Sequence, residues 1–505
     1  MTSAPASRPP SAPKNALPPG TLPVVILLVA SAFIVILNET IMSVALPRLM
    51  EEFQISASTA QWLTTGFLLT MAVVIPLTGY ILARFPVRSV FLTAMSLFAL
   101  GTLISGLAPG FEILLAGRII QASGTAVMMP LLMTTVMNLV SPEHRGRMMG
   151  VISIVISVAP AIGPTVSGVI LANLEWRWMF LIVLPLVILA IVLGAIWVRN
   201  VTETRKVKFD PFSVVLSALG FGMLVFGLSS IGAAASGEAT FPVWIPIAVG
   251  ALGLLAFGAR QMSLAKTDSA LMDLRAFRSK SFSLAVTLII VVSAALFGSL
   301  ILLPLFLQQV LGLDTLTTGL MMLPGGVLMG LIAPIVGSLF DRFGPTPLVI
   351  PGMVVAAGAL WGMTTFDQGT QIWWVIAVHL ALNLGLGFVF TPLMTSALGS
   401  LPRKLYPHGS AIVGTIQQVA GAVGTAVFIS IMTIQSAKLI GAGEDLVTAT
   451  ASGIHSAFLV GAVVATVAIL IAAFVRPAPA PVEDEIAPAA AAGSDTTTGP
   501  LPVSA

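Results

Sequence analysis

Two charged residues lie deep in apolar parts of the sequence, and both could take part in proton chemistry. Glu39 is the single charge in the stretch 22–47, LPVVILLVASAFIVILNETIMSVALP. Such a stretch is long enough to cross a bilayer, and a carboxylate within it is costly to bury and marks a functional site by default. Arg118 lies in a second apolar stretch, 112–139. We predict that Glu39 accepts and releases a proton, and that Arg118 is coupled to it.

The same two residues allow a purely structural interpretation. They could form a permanent buried ion pair, or Arg118 could bind backbone carbonyls only. Contact between the two side chains does not follow from their spacing. Proton exchange requires that the carboxylate meet different surroundings in turn, because a nearby cation favours its charged form and a low dielectric disfavours it.

Composition places these residues in a membrane protein. The chain is 57% hydrophobic and 9% charged, with a mean hydropathy of +1.03, whereas soluble domains carry about 25% charged residues. It has no cysteine, four scattered histidines and no Gly-x-x-x-x-Gly-Lys-[Ser/Thr] motif, so we expect no metal, no cofactor and no ATP hydrolysis. The net charge of +3 is spread over short loops, which favours membrane orientation over nucleic-acid binding.

Fourteen apolar segments are predicted to be membrane-spanning helices. They are 22–47, 60–82, 88–108, 112–139, 147–172, 178–198, 212–231, 242–260, 282–311, 317–340, 346–366, 372–398, 409–435 and 454–475. Of the 23 Lys and Arg residues, nineteen fall in tails and loops on one side and three on the other. Basic loops stay in the cytoplasm. We therefore expect a multi-pass protein of the bacterial inner or plasma membrane with both termini cytoplasmic and no signal peptide.

An internal repeat divides the chain. The sequence GYILARF at 79–85 follows the second segment, and GSLFDRF at 337–343 follows the tenth. Paired motifs in corresponding halves are typical of transporters. We predict a disordered tail over 1–20, a six-helix bundle over 21–199, a linker with two extra helices over 200–281, a second six-helix bundle over 282–476, and a disordered tail over 477–505.

These features resemble the fourteen-helix drug:proton antiporters of the major facilitator superfamily. The resemblance covers about 21–475. Its motifs are LNETIMSVALP at 37–47, LAGRIIQASG at 115–124, the fifth-helix antiporter motif APAIGPTVSG at 159–168, WRWMF at 176–180 and LLPLFLQQVL at 302–311. The resemblance implies an all-α major facilitator fold that is not an enzyme, with two six-helix bundles plus two inserted helices.

The sequence departs from the family pattern at two places. The position that carries an acidic residue in the first helix of the family corresponds to Asn38 here. The carboxylate is instead at Glu39, about 100° further round the helix. In the first loop motif the family's Asp falls on Ala83 and its Gly on Pro86, whereas the second copy keeps Asp341. The first copy therefore lacks the Asp that would form an ion-pair lock in the outward-facing state. The residues of the two cytoplasmic loop motifs are Gly79, Arg84, Arg88, Gly337, Asp341 and Arg342.

Two further groups are candidates for gating and for cargo contact. Gly150, Ser153, Ser157, Pro160, Pro164 and Gly168 share one face of the fifth helix. Small residues allow close helix approach and proline weakens the hydrogen-bond ladder, so we expect a kinked, sealing seam at Pro160, Gly163, Pro164 and Gly168, although ordinary packing would use the same residues. The candidate cargo contacts are Asn38, Gln61, Trp62, Gln121, Met128, Met129, Gln308, Gln309, His379, Asn383, Gln417 and Gln418.

The resulting hypothesis is a monomeric, proton-coupled antiporter that exports amphiphilic compounds, cationic ones included, by alternating access, with Glu39 as the proton carrier. Protons and membrane lipids are its expected partners, and nucleic acid is not. Three alternatives stay open: a dedicated exporter of one metabolite such as an antibiotic, siderophore or lipid precursor; a proton-coupled importer; and an intramembrane enzyme. The fifth-helix motif disfavours import, and the lack of a convergent catalytic set disfavours an enzyme.

Overall fold

The structure is a computed structural model that describes residues 21–139, 158–160, 162–198, 210–235, 242–267, 269–402 and 405–474. Regular structure in these residues is helical throughout. The helices are α1 (Thr21–Thr40), α2 (Met42–Phe53), α3 (Ala57–Ala60), α4 (Trp62–Arg84), α5 (Val87–Gly106), α6 (Phe111–Leu139), α7 (Val158–Asn173), α8 (Trp178–Leu181), α9 (Val183–Trp197), α10 (Pro211–Ala235), α11 (Trp244–Ala265), α12 (Lys280–Leu305), α13 (Thr315–Phe343), α14 (Thr346–Met363), α15 (Ile372–Gly399), α16 (Tyr406–Gly441) and α17 (Leu446–Ala472). A 3₁₀ turn (Leu274–Arg278) precedes α12, and a π-helical turn (Phe306–Val310) follows it.

Thirteen helical stretches of the described residues are long and apolar enough to span a membrane. They match thirteen of the fourteen predicted segments. The remaining segment, 147–172, falls partly on residues outside the described ranges, and its described part is helix α7. The prediction of an all-α membrane fold is confirmed.

Polar caps fix where several of these helices begin. Asp314 accepts a hydrogen bond from the backbone N–H of Thr317 at 2.8 Å, and Asp445 accepts one from that of Thr448 at the same distance. Such side chains satisfy N–H groups that have no partner within the helix. Apolar residues then continue around the whole circumference of each helix, because one face meets lipid and the other meets neighbouring helices.

The helices form two halves and an inserted pair. We call α1–α9 the N-terminal half, α12–α17 the C-terminal half, and α10 with α11 the inserted pair. The N-terminal half has its own apolar core, in which α1, α5, α6 and α9 meet. A larger core runs through the C-terminal half and reaches α2. In the inserted pair, α10 packs against α4 and α16, and α11 packs against α10.

The two halves touch over one end and the middle of the molecule. We call the end with Arg84 and Arg342 the basic end. At the opposite end, the Gln308 amide donates to the carbonyl oxygen of Val44 at 3.1 Å and the Thr165 hydroxyl donates to that of Gly319 at 2.9 Å. At the basic end, no described atom lies within 4 Å of the position that a Cβ would take at Gly79 or Gly337. The described halves are therefore in contact at the opposite end, and there is free space beside Gly79 and Gly337 at the basic end.

Candidate functional site

The helix that carries Glu39 has a local irregularity just after it. Helices α1 and α2 meet at Ile41, which keeps helical backbone angles (φ −60°, ψ −27°) and whose N–H still binds the carbonyl oxygen of Leu37 at 3.2 Å, so the chain stays helical through this point, as the sequence predicts for 22–47. The hydroxyl of Thr40 donates to the carbonyl oxygen of Leu37 at 3.2 Å, a kind of bond that bends helices. Pro47 removes one ladder bond in α2. Glu39 lies in the last turn of α1.

Arg118, from α6, binds the end of α1. Its side chain is fully buried. Nη1 donates to the backbone oxygen of Asn38 at 3.2 Å and to its Oδ1 at 2.8 Å, and Nη2 lies 3.5 Å from the backbone oxygen of Glu39. Cations are favourable at a helix C-terminus because the carbonyl groups there carry partial negative charge. The guanidinium therefore binds the carbonyl groups in the last turn of α1.

A polar network holds Arg118 from the other side. Nη1 also donates to Oε1 of Gln121 at 2.7 Å, and Nε2 of Gln121 donates to the hydroxyl of Thr102 at 2.8 Å. The ring of Phe67 lies 4.1 Å from the guanidinium carbon, a distance at which a cation is attracted to an aromatic face. Hydrogen bonds to a charged group in a low dielectric are strong, so the position of Arg118 is well fixed.

The Glu39 carboxylate has different neighbours. Within the described ranges, no ion pair joins it to Arg118, and the guanidinium reaches only its backbone oxygen. The carboxylate instead faces the amide of Gln418 on α16. Gln418 also donates to the sulfur of Met71 on α4 at 3.5 Å. The predicted pair of opposite charges is thus close in space, but its side chains are not in contact in this conformation.

Glu39 consequently lies between the two halves. It is partly exposed, whereas Asn38 and Thr40 on either side of it are buried. Its backbone is bound within the N-terminal half through Arg118, and its carboxylate faces the C-terminal half through Gln418. The side chain of Glu39 thus lies at the contact between the two halves.

Several polar atoms around Glu39 have no hydrogen-bond partner among the described residues. They are Nδ2 of Asn38, Nε of Arg118 and Oε1 of Gln418. A buried polar atom without a partner costs about 1–3 kcal/mol, so these atoms favour additional polar groups beside the carboxylate. Because no salt bridge must break, the carboxylate can be charged or neutral while Arg118 keeps its bonds.

The candidate cargo contacts of the N-terminal half lie in three settings. Gln121 belongs to the Arg118 network. Gln61 is fully buried, and neither atom of its amide has a partner in the described part of the chain. Trp62 is half-buried, and its ring lies 5.8 Å from that of Phe226 on α10. Met128 is fully buried in the apolar core of this half.

The candidate contacts of the C-terminal half are also dispersed. Gln308 and Gln309 lie in the π-helical turn, and Gln308 bonds to the N-terminal half as described above. Gln417 is partly buried on α16 beside Gln418. A π-helical turn within an α-helix is frequent at functional sites. These positions surround the contact between the halves, and their role in cargo binding stays a prediction.

His379 and Asn383 form a small polar cluster on α15. Nε2 of His379 lies 3.2 Å from the backbone oxygen of Met322 on α13, and the Asn383 amide donates to the backbone oxygen of His379 at 2.9 Å. A Cβ at Gly325 would lie 2.5 Å from Nε2 of His379, so only glycine permits this close approach. The histidine is satisfied by neighbouring helices, which is the more ordinary interpretation of its position.

The loop-motif residues lie at the basic end, mostly on helices. Gly79 and Arg84 belong to the last turns of α4, and Gly337, Asp341 and Arg342 to those of α13. Arg88 starts the next helix, α5, and donates to the backbone oxygen of Ala195 at 2.6 Å. Asp341 and Arg342 are exposed. The two copies of the motif thus take equivalent places in the two halves.

The described part of the antiporter motif joins the helix of Glu39 to the C-terminal half. A Cβ at Gly163 would collide with the hydroxyl of Thr40, and one at Gly168 would lie 2.5 Å from the backbone oxygen of Thr315. A Cβ at Gly319 would lie 2.7 Å from the backbone oxygen of Pro164. Pro160 is partly buried. The predicted seam residues Gly150, Ser153 and Ser157 lie outside the described residues.

Two aromatic contacts of the site were not predicted. Phe67 lies against Arg118, and Phe226 lies against Trp62. Both stand in uniformly apolar segments, where an aromatic residue that contacts a site does not differ in pattern from one that faces lipid. Only the positions of neighbouring helices distinguish them.

Comparison with known proteins agrees with this architecture. Residues 28–425 match the Major Facilitator Superfamily. The Lincomycin resistance protein LmrB of Listeria monocytogenes is 43% identical over 464 residues, which are 90% of this chain and 97% of that protein. The Multidrug resistance protein B homolog of Mycobacterium tuberculosis is 32% identical over 399 residues, 78% of this chain and 73% of that protein.

Solved structures show the same fold. The crystal structure of a bacterial homolog to the human lysosomal transporter Spinster, in an inward-facing and unoccupied conformation, superimposes with a TM-score of 0.62 at 15% identity. The match covers 91% of this chain and 98% of that one. At this identity the likeness concerns the fold alone.

Proposed function

This chain belongs to the Major Facilitator Superfamily, and we propose that it is a proton-coupled antiporter that exports amphiphilic drugs with Glu39 as the proton carrier. It is a multi-pass membrane transporter and not an enzyme, and its relatives are named for resistance to lincomycin and to multiple drugs. Drug efflux is therefore the transport activity that these similarities support. Proton coupling, antiport and the role of Glu39 are our own assignments.

One observation carries the assignment of Glu39. It is the acidic residue of the described membrane helices that lies between the two halves, with its carboxylate toward Gln418 and free of an ion pair to Arg118. When the carboxylate loses its proton, it gains a charge that attracts Arg118 and the amide of Gln418. When it is protonated, that attraction across the interface weakens. Proton exchange can thus bias which end of the molecule is closed.

The proposed cycle alternates between two open ends. The asymmetry of basic residues supports placing the basic end and both termini in the cytoplasm. In one state the halves open toward the cytoplasm, where cargo binds and Glu39 is deprotonated. After the halves rock, Glu39 meets the more acidic exterior, takes up a proton, and cargo leaves.

The proton gradient supplies enough free energy for this exchange. A difference of one pH unit is worth about 1.36 kcal/mol per proton. A membrane potential adds about 2.3 kcal/mol per charge for each 100 mV. These two terms suffice to drive cargo uphill, so neither a bound nucleotide nor a metal is needed.

We propose lincomycin as the first cargo to test, because the name of a relative that is 43% identical over 90% of this chain refers to it. The test expresses the chain in a host whose own pumps are deleted and measures susceptibility to lincomycin and to a panel of amphiphilic cations. We expect increased resistance that an uncoupler abolishes. A profile restricted to one unrelated metabolite would instead favour a dedicated exporter, and resistance that survives the uncoupler would contradict proton coupling.

A further inference from the structure

The inserted pair lies across the contact between the two halves. We define the seam as the line along which α4 meets α16; on it, Met71 contacts Gln418, and a Cβ at Gly414 would lie 3.5 Å from Ile75. Helix α10 packs against both α4 and α16 along this line. Val225 of α10 is fully buried there, in one apolar cluster with residues of both halves. The helix therefore covers the seam from the lipid side.

Toward the N-terminal half, the contacts of α10 are apolar. Val225 shares its cluster with Leu68 of α4, and Phe226 packs on Trp62 with ring centroids 5.8 Å apart. Apolar contact of this kind has no direction. It permits one smooth surface to slide along another without the loss of a specific bond.

Toward the C-terminal half, α10 is bonded and closely packed. The hydroxyl of Ser430 on α16 donates to the backbone oxygen of Leu228 at 3.1 Å. A Cβ at Gly232 would lie 3.3 Å from the Cα of Ser430 and 3.4 Å from the Cβ of Thr433. Small residues allow such approach between membrane helices. This end of α10 is thus fixed to α16.

A second set of bonds fixes the basic end of the inserted pair. The carboxylate of Asp210 binds the guanidinium of Arg260 through two hydrogen bonds of 2.8 Å and accepts another from Ser213. Gln261 on α11 donates to Ser213 at 2.7 Å and accepts from the backbone N–H of Met272 at 3.2 Å. We call these residues the latch, because they join α10, α11 and the linker that follows.

The linker continues this connection into the C-terminal half. Nδ1 of His408 on α16 lies 3.4 Å from the backbone oxygen of Leu271, and the hydroxyl of Ser279 donates to that of Ser400, after α15, at 3.0 Å. The inserted pair is therefore connected by hydrogen bonds to the C-terminal half at both of its ends.

We propose that the inserted pair is a lateral lid that moves with the C-terminal half, slides along α4, and keeps lipid out of the seam through the transport cycle. A seam that opened to the bilayer would expose the polar residues at its centre, Gln418 among them, to hydrocarbon, where each unsatisfied group costs several kcal/mol. The lid removes that exposure on this side of the molecule. The proposal extends the export function above and needs alternating access, but it does not depend on proton coupling.

The test uses paired cysteines, which is direct because the chain has no cysteine of its own. Gly232→Cys with Thr433→Cys links α10 to α16; a Cβ at position 232 would lie 3.4 Å from the Cβ of Thr433, which is close to the Cβ distance of a disulfide. Leu68→Cys with Val225→Cys, bridged by oxidation or by mercuric ion, links α10 to α4. Downhill ethidium flux through vesicles is measured for each variant before and after bridging, and again after reduction.

We expect the link between α10 and α16 to change downhill flux by less than about twofold relative to the same variant before bridging. The link between α10 and α4 should abolish downhill flux until the thiols are released. Inhibition by the first link, or full flux with the second, would overturn the lid. In a third arm, the single variant Leu68→Cys is exposed to a lipid-soluble maleimide in vesicles that are transporting. We expect its thiol to be labelled slowly, and rapid labelling would also overturn the proposed lid. Absence of ethidium flux in the unmodified chain would instead contradict export of amphiphilic drugs.

Discussion

Asn38 and Glu39 are adjacent in sequence and have different partners in the structure. Asn38 accepts a hydrogen bond from Arg118 at 2.8 Å, while the carboxylate of Glu39 faces Gln418 across the interface. One residue along a helix turns the side chain by about 100°. Since a neutral amide occupies the position beside Arg118, the proposed exchange of a proton at Glu39 would not require that a salt bridge break.

The first prediction concerns Glu39→Gln. Its amide keeps the shape of the side chain but cannot exchange a proton, so we expect uphill lincomycin efflux to fall to the level of vesicles without the protein. Expression and lincomycin binding should stay close to those of the unchanged chain. The control is Glu51→Gln, at an exposed carboxylate at the opposite end, which should transport normally. Uphill efflux by Glu39→Gln would show that another group carries the proton.

The second prediction concerns Arg118→Lys. Lysine keeps the charge but lacks the planar fork that binds several acceptors at once, so acceptors on Asn38 and Gln121 lose their donor. We expect the free energy of unfolding to fall by about 1–3 kcal/mol, measured by thermal denaturation in detergent. Arg48→Lys, at a side chain that is 61% exposed, should change it by less than about 0.5 kcal/mol. Equal stability of the two variants would contradict the network described for Arg118.

At the scale of helices, hydrophobicity was sufficient to locate the membrane segments but not to describe their contacts. The thirteen described spans coincide with apolar runs, because length and lack of charge are enough to define a crossing. The neighbours of Arg118 and of Glu39 depend on which helix packs next to which. That arrangement comes from shape complementarity between apolar faces, and a uniformly apolar sequence does not encode it in any visible period.

The third prediction tests the closed end of the molecule. Gly168→Ala places a methyl group 2.5 Å from the backbone oxygen of Thr315, so α7 and α13 can no longer close together. We expect efflux to be lost while the protein stays folded, and spin-label distances between the halves should lengthen at the opposite end. Gly358→Ala serves as the control because nothing lies within 4 Å of its Cβ position among the described residues. Normal efflux by Gly168→Ala would contradict this gate.

The fourth prediction tests the latch. Hydrogen bonds from Arg260 lower the pKa of Asp210 to about 2. Because the pKa of Asp210 is lowered in the folded state, its charged form stabilises the fold at pH values above the ordinary pKa of aspartate, about 4. This contribution to stability decreases below that pH and disappears as the pH falls through 2. We expect Asp210→Asn to lower the free energy of unfolding by about 1–3 kcal/mol at neutral pH.

The corresponding control is Glu444→Gln, at an exposed side chain. It should leave stability within about 0.5 kcal/mol of the unchanged chain. At pH 2 the difference in the free energy of unfolding between Asp210→Asn and the unchanged chain should shrink, because the pH then equals the lowered pKa and about half of the Asp210 side chains are protonated. A difference that persists undiminished in acid would show that the charge of Asp210 does not stabilise the latch.

At the scale of the whole molecule, the two halves meet at an interface, and the carboxylate of Glu39 lies in that interface. The halves meet at the opposite end through Gln308 and Thr165, and there is free space beside Gly79 and Gly337. Glu39 lies between these two ends. In the proposed mechanism, a proton exchanged at Glu39 changes the balance between closure at the two ends.

The sequence predicted the elements of this system better than their connection. Glu39 could be selected as a candidate because a lone carboxylate in an apolar helix is costly to bury, and its role stays a prediction. The repeated loop motif led us to expect two related halves, and this too stays a prediction. The contact of Glu39 with Gln418 was not predictable, since the two residues are hundreds of positions apart and belong to different halves. The lid likewise depends on the packing of α10, which its apolar sequence leaves open.

The most direct test of the proposed mechanism measures protons that move because drug moves. The purified chain is reconstituted into liposomes with a pH-sensitive dye inside, and lincomycin is applied as a gradient with no initial difference in pH. We predict that drug moving down its gradient drives protons in the opposite direction, so that the pH inside the liposomes changes. Glu39→Gln should carry drug without any pH change. Drug flux without proton movement in the unchanged chain, or equal proton movement in Glu39→Gln, would contradict Glu39 as the proton carrier.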